Sequence, residues 1–287
     1  MKQRLLQKLF LLLLPIFFAY SAWAYRNTYA VIIGVADYQV DNSSDLMFTT
    51  RDAQLFCDFL MSPAGGSVPA KNICIMKDAS ATKSNIMEKT RKLFGMAEPE
   101  DRVIFFFSGH GSAGYLIPYD GDYYGNNFLS YDELKSLFRC AKARTKLMFA
   151  DACFAGDFKN SLTQRSAPNN NVASRSNSDI AIMLSCKDNE YSIEDGYLRQ
   201  GIFSYYLVKG LNGAADRDGN SFITIQELFY YVHNNTLSFS KDIGRNQEPV
   251  LFGNFDLRLI VGYVKKGKSF KLMDEKPSDK QQKQDNK

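Results

Sequence analysis

Apolar residues along this chain fall into two kinds of block. Five short runs are rich in β-branched and aromatic residues: Tyr29–Val35, Ile73–Met76, Val103–Phe107, Leu147–Ala150 and Ile180–Leu184. Most lack polar alternation, the pattern of strands covered on both faces. Between them lie segments with helical spacing. Asp52–Met61 places Leu55, Phe56, Phe59 and Leu60 on one stripe. Ser84–Phe94 follows a polar cap region at Thr82 and Ser84, and Ser130–Phe138 opens with Ser130 and Glu133 in capping-box spacing. Gln200–Leu211 and Thr224–His233 are two further helices. Such alternation predicts an α/β fold in three layers, α/β/α, around a mostly parallel sheet of about six strands.

Three segments stand outside this pattern. Residues 1–24 have a basic start, an apolar run from Leu9 to Tyr20 and the small-x-small sequence Ala22-Trp23-Ala24. They read as a secretory signal peptide cleaved after Ala24, with an apolar run too short for a comfortable membrane span. Export to a periplasmic or secreted location follows, with no membrane contact after cleavage. Residues 159–178 are polar, rich in Asn and Ser, and read as a flexible surface loop. Residues 265–287 are rich in Lys, Gln and Asp and read as a disordered basic tail.

Charge sharpens this division. The net charge of +4 comes from the ends, since residues 1–24 carry +3 and residues 265–287 carry +4. The domain between them is mildly acidic. That argues against a nucleic-acid partner, which calls for a basic face, and suits a cationic substrate.

The candidate chemistry sits at two strand ends. Of the two histidines, His110 lies in Ser108-Gly109-His110-Gly111, directly after an apolar run. Cys153 lies in Asp151-Ala152-Cys153-Phe154-Ala155-Gly156, directly after another. Open α/β sheets put their sites at strand C-terminal ends, and a histidine supplies the base that makes a cysteine a useful nucleophile.

These two motifs, 43 residues apart and in this order, resemble those of the caspase-like cysteine peptidases, nearest to metacaspases and their bacterial relatives. Tyr29–Val35 with Asp37-Tyr38, Ser185–Glu190 and Gln247–Gly253 resemble further pieces of that family, so the likeness covers roughly residues 28–260. It implies a peptidase domain over 25–264, with a large part to about 158, a linker at 159–178 and a small part from 179. It implies that Cys153 attacks a peptide carbonyl, that His110 manages the proton, and that the Gly111 and Cys153 N–H groups form an oxyanion hole. By the same resemblance Asp52, Ser108, Asp151 and Asp188 are substrate-binding residues. The expected activity is therefore an endopeptidase cutting protein or peptide substrates after Arg, then Lys. A basic-specific enzyme would also find Lys159, Arg165 and Arg175 in its own linker, so self-processing there is one reading and a plain exposed loop the other. Asp52 has a second reading, as an acid favoured by the helix dipole.

Other features carry less. Asp216, Asp218, Asn220, Phe222, Thr224 and Glu227 have the ligand spacing of an EF-hand calcium loop, but Ser221 stands where the sharp-turn glycine belongs. The alternative is a polar turn with Thr224 and Glu227 as a capping box. Asp120 and Asp122 lie after the histidine, where some metacaspases bind calcium. No cofactor is required by the chemistry. Cys57, Cys74, Cys140 and Cys186 lack zinc spacing, and one disulfide among them is an open expectation after export. His233 reads as structural. Two rival readings stay open: a caspase-like domain cutting after Asn or Asp, and a non-catalytic caspase-like binding domain.

Overall fold

The computed structural model describes residues 26–40, 45–153, 179–187, 189–265, 267 and 270–272. The expected signal peptide, the linker with Lys159, Arg165 and Arg175, Asp188 and most of the basic tail lie outside the described residues.

The five apolar runs and the 247–253 segment become one six-stranded sheet. Its strands are β1 (Thr28–Gly34), β2 (Ile73–Lys77), β3 (Arg102–Ser108), β4 (Thr145–Asp151), β5 (Asp179–Leu184) and β6 (Val250–Asn254). Their spatial order is β6-β5-β4-β3-β1-β2. All neighbours pair in parallel except β6, which runs antiparallel to β5. The fold is thus the expected mostly parallel α/β sheet flanked by helices.

Continuous apolar strands follow from burial on both faces. All seven residues of β3 are buried. Successive side chains point to opposite faces, so Phe105 and Phe107 pack with Phe94 and Phe138 while Ile104 and Phe106 pack with Phe56, Phe149 and Phe203. The Phe56 and Phe106 rings stack at 4.6 Å. Each such side chain contributes roughly 1.5–3 kcal/mol by leaving water.

The helices are α1 (Thr49–Met61), α2 (Lys83–Phe94), α3 (Tyr131–Cys140), α4 (Ile202–Lys209) and α5 (Ile225–Asp242). Thr82 caps α2, and Ser130 with Glu133 forms the expected box on α3. Several boundaries differ from the sequence reading, two of them for reasons visible in the packing. Gln200 and Gly201 are taken into a short antiparallel ribbon with Glu194–Asp195, so α4 starts at Ile202. Helix α5 runs nine residues past His233, because its inward stripe continues through buried Thr236 and Ser240, small polar residues that hydropathy does not count. All five cysteines are free thiols in the structure. Among the described residues no helix is long and apolar enough to cross a membrane.

Candidate active site

The last residues of β3 and β4, Ser108 and Asp151, are partners in the parallel ladder. Beyond them both chains leave the sheet at the same end. The Gly109 N–H donates to the Asp151 carbonyl at 3.1 Å, tying the two exits together. His110 follows at once. Its N–H donates to the Tyr38 hydroxyl at 2.6 Å, and its carbonyl accepts from the Ile117 N–H at 3.0 Å. The Tyr38 and His110 rings lie 4.9 Å apart. Burial pushes the Tyr38 hydroxyl above the ordinary tyrosine range, so it stays neutral. Gly109 is needed here, since a Cβ would stand 2.9 Å from both the Tyr38 hydroxyl and the Phe107 ring.

Cys153 leaves β4 beside β5. The Ser185 hydroxyl accepts from the Ala152 N–H at 3.1 Å and donates back to the Ala152 carbonyl at 3.0 Å, which fixes the peptide before the cysteine. Burial pushes the Cys153 thiol up, an N–H from Ser192 pulls it down, and the charge of Asp151 adds to the rise. The thiol is therefore neutral at rest, and the proton must leave when the nucleophile attacks. Gly111 packs directly on the cysteine backbone. A Cβ on Gly111 would collide with the Cys153 carbonyl and come within 3.3 Å of the Cys153 nitrogen. The two N–H groups expected to form the oxyanion hole thus belong to adjoining backbone.

His110 and Cys153 line one small cleft of about 30 Å³ together with Asp52, Ser108, Asp151, Ser192, Glu194 and Gly201. Its floor is acidic. Asp52, in the first turn of α1, accepts from the Ser108 hydroxyl at 2.9 Å and from the Gly201 N–H at 3.2 Å. Asp151 accepts from the Ser204 hydroxyl at 2.6 Å, from the Ser204 N–H at 3.0 Å and from the Ser192 hydroxyl. Both carboxyls are fully buried. Burial first, then Asp151, holds Asp52 well above the usual carboxylate range. Burial also raises Asp151, against the pull of its serine donors. Gly201 separates the two acids: a Cβ there would collide with an Asp151 oxygen and sit 3.1 Å from Asp52 Oδ2.

Of the expected site residues, His110, Cys153, Gly111, Asp52, Ser108 and Asp151 come together, while Asp188, the three linker basics and Phe154 fall outside the described residues. Five contributors were not singled out in the sequence. Tyr38 had been noted only within a family-like dipeptide. Ser192 and Glu194 lie in a stretch without periodicity, Gly201 and Ser204 lie at the start of an expected helix, and only the fold brings all four to the end of β4. Glu194 accepts from the Met47 and Phe48 N–H groups at 2.8 and 2.7 Å, so it caps the start of α1 while adding a third acid to the cleft.

The 216–227 loop also closes as its spacing suggests. Carboxylate oxygens of Asp216, Asp218 and Glu227 lie within 4.8 Å of one another. Ser221 takes a left-handed φ of 71°, the turn that the glycine of an EF-hand provides. Glu227 nevertheless accepts from the Thr224 N–H and hydroxyl as a capping box, so both readings of these residues describe the same loop. Asp120 and Asp122 are used as loop braces, accepting from the Lys83 N–H and from the Tyr124 and Asn126 N–H groups. His233 lies between Asn234 and Glu248, on a helix away from the cleft.

A family model described as the caspase domain matches residues 27–257. Among solved structures, caspase-1 from Spodoptera frugiperda superposes with a TM-score of 0.57 at 15% identity, over 86% of this chain and 92% of its own. A protein from Geobacter sulfurreducens superposes with a TM-score of 0.54 at 14% identity, over 83% of this chain and all of its own. At these identities the structural likeness is one of fold. No curated protein matches the chain significantly.

Proposed function

The chain belongs to the caspase-domain family, and from that premise we propose that it is a cysteine endopeptidase that cuts after Arg and, second, after Lys. The observation that carries this reading is a single cleft holding His110, Cys153 and the buried Asp52–Asp151 pair.

The substrate guanidinium enters beside Asp52 and Asp151, where charge-assisted and bidentate hydrogen bonds suit it. Its carbonyl oxygen faces the Gly111 and Cys153 N–H groups. His110 takes the thiol proton as Cys153 Sγ attacks the carbonyl carbon, and the carbonyl pair moves onto oxygen against those donors. Collapse breaks the C–N bond, and His110 passes the proton to the leaving amine. Water then attacks the thioester, giving a proton to His110; the C–S bond breaks and the thiol is restored. A neutral resting thiol fits this order of events.

Export through residues 1–24 and self-cleavage in 159–178 belong to the same proposal. They rest on the sequence patterns alone. The reaction uses no cofactor. Calcium, where bound, would be held by Asp216, Asp218, Asn220, Thr224, Glu227 and the Phe222 carbonyl, and would brace the start of α5 rather than act in catalysis.

The test is paired fluorogenic peptides ending in Arg, Lys, Asp or Asn, given to the wild-type chain and to Cys153→Ala, with and without calcium. Turnover confined to Arg and Lys peptides and abolished in Cys153→Ala is expected, and a gel of both proteins reads self-cleavage. Preferential turnover of the Asp or Asn peptide would sink the basic specificity. Absence of any Cys153-dependent turnover would leave a binding domain instead.

A further inference from the structure

We infer that the groove on the other side of His110 from the acidic cleft receives the substrate residue that follows the cut bond, and that it takes a large apolar side chain. This rests on the peptidase reading above and extends it to the leaving half of the substrate.

The groove encloses about 350 Å³. His110 forms a wall of both cavities. Gly109 lines the acidic cleft, while Gly111 and Ser112 line the groove, so the chain crosses from one to the other at the imidazole. Chemistry fixes what must pass there. The leaving nitrogen has to lie within hydrogen-bond reach of His110 to take its proton. The Cα of the next substrate residue is one bond further on. With the preceding side chain held in the acidic cleft, the following side chain meets the cavity that shares the imidazole.

The groove is built rather than left over. Its wall includes Tyr38, Ile117, Tyr123 and Phe128. At Gly121 a Cβ would stand 2.7 Å from Ile117 Cγ2 and 3.3 Å from Phe128 Cδ1, so a glycine lets these two side chains close. The Tyr115 ring backs Phe128 at 5.9 Å. Two of the polar groups in the wall are engaged elsewhere: the Tyr38 hydroxyl accepts from the His110 N–H, and Asp122 accepts from Tyr124 and Asn126. The Asn126 side-chain amide holds the Asp122 carboxyl below the usual range, so the rim carries a negative charge. Apolar walls with an anionic rim favour a large apolar occupant and disfavour an acidic one.

Internally quenched peptides with Arg before the cut and Leu, Phe, Gly, Lys or Asp after it would test this on the full chain. Leu and Phe peptides are expected to be cut about tenfold faster than the Gly peptide, with Asp slowest. Phe128→Ala should erase most of the Leu and Phe advantage over the Gly peptide. As a control, a peptidyl-arginyl chloromethyl ketone, whose leaving group is chloride, should label Cys153 equally fast in both proteins. Tyr123→Ala is the second variant, at a position 61% exposed where folding is not at risk; it should narrow the same advantage. Equal cutting of all five peptides, fastest cutting before Lys, or variants that slow every peptide alike would overturn the subsite. Failure of the ketone to label wild-type Cys153 would overturn the peptidase reading itself, a result distinct from loss of the subsite alone.

Discussion

Ser108 and Asp151 stand opposite each other as the final residues of β3 and β4. Two positions further along each chain come His110 and Cys153. The strand register therefore brings His110 and Cys153 to the same end of the sheet, and the same two strand-end residues turn toward the acidic floor. Ser108 donates to Asp52, and Asp151 is itself the second acid. The proposed nucleophile, base and specificity pocket share one origin in the sheet.

This origin has a thermodynamic cost at Asp52. An acid whose folded pKa is raised lowers stability as pH rises from its unfolded value through its folded value. Below the ordinary carboxylate range the carboxyl is protonated in both states, and the cost vanishes. Asp52→Asn should therefore raise Tm at pH 7 by several degrees, at about 2–4 °C per kcal/mol for a domain of this size, and change it little near pH 3. The same variant should lose roughly 10- to 100-fold in kcat/KM on Arg peptides, the worth of one charged hydrogen bond. Thermal melts at both pH values, beside kinetics, check both halves.

Arg binding should also release protons. The guanidinium favours the ionised forms of Asp52 and Asp151, which burial has raised. Affinity for an Arg peptide should weaken as pH falls. Calorimetry of Cys153→Ala with that peptide in two buffers of different ionisation enthalpy counts the protons; equal heats would contradict the coupling.

Gly201→Ala tests the space between the acids. Gly201 has φ −61°, so alanine fits the backbone, yet its methyl would press on Asp151 and Asp52. The expected result is a folded protein whose KM for Arg peptides rises on the order of tenfold, about 1.4 kcal/mol.

Tyr38→Phe removes the acceptor for the His110 N–H while keeping the ring. An unpaired buried donor costs about 1–3 kcal/mol, so Tm should drop by several degrees. The loosened His110 should lower kcat more than it raises KM. Ser130→Ala is the contrasting case, since it removes a helix cap remote from the cleft. It should cost about 1 kcal/mol of stability and leave kcat/KM unaltered.

The sequence made the sheet and the pairing of His110 with Cys153 in one cleft legible for clear reasons. Apolar runs such as Val103–Phe107 have no other place than a strand covered on both faces, and glycines around His110 mark a sharp exit. The family resemblance named Asp52, Ser108 and Asp151. Glu194 and Ser204 escaped because their roles depend on which chain passes beneath β4, a relationship at long sequence separation with no local signal. The extension of α5 escaped because Thr236 and Ser240 are buried by their small size rather than by hydropathy. Ser221 shows a further limit: the missing glycine argued against an EF-hand turn, yet serine adopts the left-handed φ there. Calcium should then raise Tm in the wild-type chain and fail to do so in Asp216→Asn, if the loop acts as a metal site rather than as a cap alone.

The central claim is that the acidic floor and the Cys–His pair act on the same substrate residue. The most direct measurement compares two peptides that differ only in that residue, Arg in one and its uncharged isostere citrulline in the other. Shape and length are matched, so the ratio of kcat/KM reads the loss of the charge and of one donor terminus. The Arg peptide should be cut at least about 100-fold faster, from the loss of charged hydrogen bonds to two buried acids. Equal cutting of the two would show that Asp52 and Asp151 are structural acids and that the specificity lies elsewhere.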